Sequence, residues 1–206
     1  MMELISAQRR TLADVLDTLT PEQWRGTTMC AGWTPGHVLA HLTMPFRISE
    51  QEFMQGLMQA GGDFTKFSDE IADRDCQLPQ SELVGILRDN ADNPWTPPGG
   101  GAVGALSHDL IHGLDITWPL PVDFEIQDEA MSTVLDSMIS PGTHTYFGVP
   151  LEGVMLSATD LDWTAGSGAL LAGRSRDLLM LLTGRHVPSD LFCGDGIPLM
   201  GGVGAR

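Results

Sequence analysis

The stretch "GWTPGHVLAHL", residues 32–42, sets out a helix start and a chemical question together. Thr34 can cap, Pro35 fits the first helical position where a missing N–H costs nothing, and Val38, Leu39 and Leu42 then form one apolar stripe. The same helix carries His37 and His41, one turn apart on a common face. A second stretch, "SHDLIHGLD" at 107–115, repeats the spacing with His108 and His112, beside Leu106, Leu110 and Ile111. Four of the six histidines stand in these two pairs. Such pairs are either incidental core packing or the two jaws of a metal site.

Working outward, Leu4, Leu12, Val15, Leu16 and Leu19 recur at helical spacing and predict a first helix. "TPEQW" starts another, with Thr20, Pro21 and Gln23 in a capping-box pattern. Pro45 falls inside the His41 helix. It lacks the N–H owed to the His41 carbonyl, so a kink beside His41 is expected. "SELVGILRDNA" (81–91) is a further capped amphipathic segment, and the Pro- and Gly-rich connection from 89 to 105 must be loop at its centre. "EIQDEAMSTVLDSMI" supplies one more helix before "SPGTHTYFG".

After Gly148 the texture changes. "VPLEGVMLSATD" and "DWTAGSGALLAG" read as short strands joined by a glycine turn, and "SRDLLMLLTG" as a helix capped by Ser175 and stopped by Gly184. The expected fold is mainly α: a helical bundle over 1–145 followed by a small α/β domain over 146–206. The latter is too short to be comfortably stable alone. The terminal "GGVGAR" reads as a loose end.

Bulk composition excludes several classes. The chain has 206 residues, 42% hydrophobic and 18% charged, which suits a folded domain and not a disordered one. Its formal charge of -16 is concentrated in residues 1–145, with 21 acids against 7 bases. That sign repels nucleic acid and anionic lipid. Cys30, Cys76 and Cys193 are odd in number and form no Cys-x-x-Cys pair, a pattern of reduced thiols. No signal peptide and no apolar run of membrane-spanning length is evident, so a cytoplasmic protein is expected. A homodimer is left open.

Imidazoles on facing helices can converge inside a bundle, and three neutral ones suit zinc, nickel, iron or copper while leaving positions open for chemistry. His41, His108 and His112 can make such a set. His37 is then a fourth ligand, a group behind the ligands or simply surface. "HDLIH" also imitates the "HExxH" zinc-protease motif with Asp109 in place of glutamate. No third ligand follows in that pattern, and Asp109 reads better as a solvated or supporting carboxylate. Asp115 is a candidate to orient the His112 ring, or a plain helix-end residue. His144 and His186 lie in turn-like settings and read as exposed. The cysteines have no nucleophile motif beside them, and "GGGAVGA" lacks the lysine and hydroxyl of a phosphate loop. Arg174 and Arg176 open the last helix and are candidates to face an acidic ligand in a cleft between domains, surface arginine being the alternative.

Three blocks, "LTPEQWRGTTMCAGWTPGHVLAHL", "HDLIHGLDITWPL" and "DLDWTAGSGALLAGRSRDLLMLLTGR", resemble the mycothiol-dependent maleylpyruvate isomerase family, one of the DinB-like metal-binding helical bundles. The resemblance runs through most of the chain in order and is weakest over 50–90. It implies a DinB-like four-helix bundle that binds a divalent metal, usually zinc, with a cleft for a thiol cofactor and substrate against a small sterol-carrier-protein-like C-terminal domain. The family's first ligand falls on His41 and its last on His112. The middle one falls on His108, where the isomerase resembles a glutamate-bearing chain and this one the three-histidine relatives. The implied function is isomerisation or thiol transfer on a small electrophile, with zinc or nickel and a mycothiol-like thiol as cofactors. A non-catalytic metal- or ligand-binding bundle is the alternative. A zinc anti-sigma-type regulator would need a histidine followed by paired cysteines, which the chain lacks.

Overall fold

The structure is a computed structural model and describes residues 1–200, the side chain of residue 144 excepted; the expected loose end "GGVGAR" lies outside the described residues. Two compact units result, Met1–Glu125 and Ile126–Arg206.

The first unit is helical: α1 (Met2–Asp17), α2 (Pro21–Trp24), α3 (Pro35–Arg47), α4 (Glu50–Gln59), α5 (Phe64–Asp75), α6 (Gln80–Asp89) and α7 (Gly101–Thr117). Helices α1, α3, α6 and α7 form the four-helix core, with α5 laid on α3 and α4 on α5. Leu12, Leu16, Leu39, Leu42, Leu83, Leu87 and Ile116 meet in the middle and are almost wholly buried. Each such side chain contributes about 1.5–3 kcal/mol relative to exposure. Buried residues lie all round α7, so it reads less clearly as amphipathic than α1 or α6. At Gly113 an added Cβ would meet the Phe124 ring at 2.8 Å, which explains a glycine in mid-helix.

The caps read from the sequence form as expected at Thr20 with Gln23, and at Thr34. Helix α3 continues through Pro45 to Arg47. Arg47 donates to the Ala40 carbonyl and Thr43 Oγ1, and pairs with buried Asp75, lacing the turn that proline weakens. Burial opposes the Asp75 charge, yet Arg74 and Arg47 hold its carboxyl below the usual range.

The second unit holds α8 (Asp128–Met138), α9 (Pro141–Phe147), β1 (Val154–Ala158), β2 (Thr164–Gly166), β3 (Ala169–Gly173) and α10 (Ser175–Leu182). Helix α8 packs on α10, so it groups with the second unit, whereas the sequence reading put it with the first. The backbone around residue 144 is helical, in place of the expected turn. The strand order is β2–β1–β3, with β2 antiparallel and β3 parallel to β1. "DWTAGSGALLAG" therefore contributes two strands, not one. The chain passes from one side of β1 to the other at Gly168, where a Cβ would sit 2.1 Å from the Gly153 oxygen. Ser175 is the first helical residue and Arg174 the cap; the Ser175 N–H donates to Asp160 Oδ1 at 2.7 Å, so a distant aspartate does the capping expected of Ser175. Gly184, at φ +75°, stops α10 as expected, with the Arg185 N–H returning to the Met180 carbonyl.

The architecture is thus mainly helical with a small three-stranded sheet in the C-terminal part. No helix among the described residues is long and apolar enough to cross a membrane.

Candidate metal centre

Helix α3 presents His41, and α7 presents His108 and His112 one turn apart; α3 packs on α7, so the three rings converge. Ring centroids are separated by 5.1 Å (His41–His108), 4.8 Å (His41–His112) and 5.0 Å (His108–His112). One potential ligand atom from each lies within 4.8 Å of the others. His41 Nε2 is 3.1 Å from His108 Nε2. Two nitrogens at tetrahedral positions on one zinc ion, each at about 2.0–2.1 Å, would be about 3.4 Å apart, so only small adjustment is needed.

Each ring is held from behind through Nδ1. The His112 Nδ1–H donates to Asp115 Oδ2 at 2.9 Å, and the His108 Nδ1–H faces Asp109 Oδ1 at 3.3 Å. His41 Nδ1 is 2.9 Å from Ser68 Oγ on α5. A carboxylate only accepts, so Asp115 and Asp109 fix the proton on Nδ1 and direct the Nε2 lone pair of each ring toward a metal. Ser68 can play either part. It can donate to Nδ1, letting a His41 Nε2–H bridge to His108, or it can accept from Nδ1 and release the Nε2 lone pair. The donor set thus suits a divalent metal; its bridged and ligating forms differ by a turn of the Ser68 hydroxyl together with transfer of the His41 ring proton from Nε2 to Nδ1.

Burial first, then the neighbouring rings of His112 and His108, hold His41 well below the usual histidine range, while Asp115 works weakly the other way. The ring stays neutral, which is the form that ligates. Trp33 (5.4 Å), Phe64 (6.4 Å) and, beside His108, Trp95 (5.6 Å) collar the cluster with aromatic edges and faces.

Behind Asp109 lies a feature that local reading of the sequence missed. Arg9 of α1 is 1% exposed, donates from Nε to Asp109 Oδ2 at 2.7 Å, and sits over the Phe46 ring. Its Nη1 also donates to the carbonyls of Asn93 and Asn90, the strand of chain that leads to Trp95. Asp109, buried and tied to both Arg9 and His108, faces away from the ring of Nε2 atoms. The protease-like role for Asp109 therefore has no geometric basis. Cys30 has no nucleophile motif beside it in the sequence, yet its S–H donates to Asp115 Oδ2 at 3.1 Å, and Cys30, His112 and Asp115 form a second donor group that shares His112.

His37 is not part of the cluster. It accepts from the Thr34 N–H at Nδ1 as the third residue of the capping box, so its proton lies on Nε2, 3.3 Å from both Cys76 Sγ and Asp73 Oδ1. Burial pushes the Cys76 thiol up, against its bond from Gln77, so the neighbouring imidazole does not make it a reactive thiolate. His37→Ala should retain metal fully and cost at most about 1 kcal/mol as a lost cap, read by metal analysis and urea unfolding. Metal loss equal to that of His41→Ala would show that the first ligand is misassigned. His186 is exposed, as expected, and Arg174 and Arg176 project from the start of α10 with side chains 61% and 45% exposed.

Comparison with known proteins bears on the segment that holds His41. Residues 5–94 match the mycothiol maleylpyruvate isomerase N-terminal domain. That match includes α3 and Ser68 and ends before His108 and His112. The resemblance read from "GWTPGHVLAHL" thus holds at the level of the domain. The fold is also similar to crystal structures of the mycothiol-dependent maleylpyruvate isomerase (TM-score 0.59, 15% identity) and of a histidine-to-alanine mutant of it (TM-score 0.57, 13% identity). Both matches cover 94% of this chain and 91% of the other. At such identities the likeness is one of fold. No curated protein matches significantly.

Proposed function

We propose that this protein is a divalent-metal-dependent enzyme that uses a low-molecular-weight thiol of the mycothiol type to isomerise a small electrophile or to transfer the whole thiol to it. The observation that carries the reading is the inward set of His41, His108 and His112, with an oxygen behind every Nδ1. The match of residues 5–94 to the isomerase N-terminal domain supplies the thiol. When bound, the metal (zinc, or nickel) supplies the positive charge that keeps the thiol ionised, and the thiol supplies the nucleophile.

The chain's own residues then have distinct tasks. His41, His108 and His112 hold the metal as neutral imidazoles. Asp109 and Asp115 keep the Nδ1 protons and so the ring orientation; Trp33, Phe64 and Trp95 keep bulk water from the reacting atoms. We assign contact with the remainder of the thiol to Arg174 and Arg176. Their guanidinium groups are well exposed, and their carboxylate contacts are long, 3.9 Å to Asp160 and 3.7 Å to Asp177. We also take the protein to be cytoplasmic, where such thiols stay reduced, with no nucleic-acid or membrane partner on grounds of charge. A homodimer is compatible with this reading.

Three neutral imidazoles leave the metal dicationic, so an anionic sulfur should be favoured at an open position. Binding of mycothiol to the zinc-loaded protein should therefore release a proton and strengthen as pH rises toward neutrality. Calorimetry in two buffers of different ionisation enthalpy reads that proton directly. If mycothiol, glutathione and bacillithiol all fail to bind, the enzyme reading gives way to a non-catalytic metal- and ligand-binding bundle.

A further inference from the structure

A cavity of about 410 Å³ opens within the first unit beside the histidines. Met44, Pro45, Ile48, Phe53, Met54 and Trp95 form most of its wall. Two contacts tie it to the cluster. The Trp95 ring stands edge-on to His108 at 5.6 Å, and Phe53 leads through Phe64 (6.3 Å) to His41 (6.4 Å). Met44 and Pro45 also lie three and four residues beyond His41, one turn further along the same face of α3.

The lining decides what fits. Among the described residues that line the cavity, Glu50 alone is charged, and no lysine or arginine joins it. The nearest arginine along the chain, Arg47, is spent on Asp75, Thr43 and the Ala40 carbonyl. A carboxylate entering here would lose hydration without gaining a cation, and would face Glu50. Two methionines beside a tryptophan and a phenylalanine instead offer an adaptable, polarizable wall. The volume falls in the range of sites for small organic ligands, about 300–1,000 Å³.

We propose that this cavity takes the apolar body of an uncharged aromatic or alicyclic electrophile, and that the protein does not act on small dicarboxylates. The inference rests on the metal–thiol reading for the word electrophile, but the binding site itself does not. Size and wall chemistry define the ligand; the Trp95 and Phe53 contacts aim its reactive end at the histidines.

The neutral fluorescent probe N-phenyl-1-naphthylamine tests this on the full chain, metal-free and zinc-loaded. Saturable binding with enhanced emission is expected in both forms, with maleate and fumarate unable to displace the probe. Met54 is 49% exposed, so its replacement should leave the fold intact. Met54→Glu should weaken probe binding by at least ~10-fold, because it adds a second carboxylate beside Glu50 to an apolar wall, while Met54→Leu keeps it. Displacement by either dicarboxylate, no saturable binding, or equal affinity of the Glu and Leu variants overturns the proposal. Probe failure with thiol-linked proton release intact removes the substrate class alone. Probe binding without any thiol binding keeps the cavity and removes the enzyme.

Discussion

Purified protein should carry close to one divalent ion per chain, and His41→Ala, His108→Ala and His112→Ala should each lose it or bind it at least ~10-fold more weakly. The expectation follows from lone pairs. With Nδ1 of His108 held by Asp109 and Nδ1 of His112 by Asp115, their Nε2 atoms present unprotonated faces inward. His41 adds a third ring, kept neutral by burial and by the other two. Without a cation, His41 Nε2 and His108 Nε2 at 3.1 Å avoid repulsion only by sharing one proton, for which Ser68 must turn its hydroxyl. Metal relieves that constraint and adds stability in proportion to its binding, about 2.7 kcal/mol at a free concentration 100 times Kd. A chelator should accordingly lower the unfolding midpoint of the native chain and leave the triple alanine variant unmoved. Metal analysis that finds no ion, even after reconstitution with zinc or nickel, removes the site.

The convergence of the three rings was legible in the sequence. The two four-residue histidine spacings, each on a helix with a readable apolar stripe, fixed which rings share a face, and two helices of one bundle had little choice but to bring those faces together. Asp115 could be named because it lies on the same helix, three residues from its ring. The groups that escaped were those whose partners are remote in the chain. Ser68 belongs to α5, in the stretch 50–90 where the family resemblance is weakest and no motif marks a polar residue as a partner for a distant ring. Arg9 sits 100 positions from Asp109 and on a helix read only for its apolar residues. Cys30 looks idle until the loop before α3 folds back on α7, tied by the Met29 N–H to the Asp115 carbonyl. The second unit obeyed the same rule: the local glycine stop of α10 was readable, while the cap from Asp160 and the passage of the chain past β1 at Gly168 depend on distant backbone.

Arg9→Met should cost about 3–5 kcal/mol, the scale for leaving one member of a buried ion pair without its partner. The neighbourhood explains the size. Asp109 is 4% exposed, and with Arg9 gone the His108 Nδ1–H alone, among the described residues, remains to meet its charge. The carbonyls of Ala91 and Asn93 would also lose the Arg9 donor, while that of Asn90 keeps the Asn93 N–H. Urea unfolding of the metal-free protein reads this loss, but stability alone cannot separate a structural pair from one that serves the metal. The double variant Arg9→Met/Asp109→Leu makes that separation. With no buried charge left, it should recover part of the lost stability, since apolar replacements of a buried pair are often neutral. Its His108, however, has lost the acceptor that fixed its tautomer and ring angle, so zinc affinity should stay ~10–100-fold below that of the native chain. Asp109→Asn should fall in the same range, because an amide oxygen accepts the Nδ1 proton without the negative charge that raises ring basicity. Native zinc affinity in the double variant would mean that Arg9 and Asp109 serve the bundle alone. Weakened affinity alongside recovered stability would make them positioning residues of the metal centre, acting through the His108 ring that Asp109 holds at Nδ1.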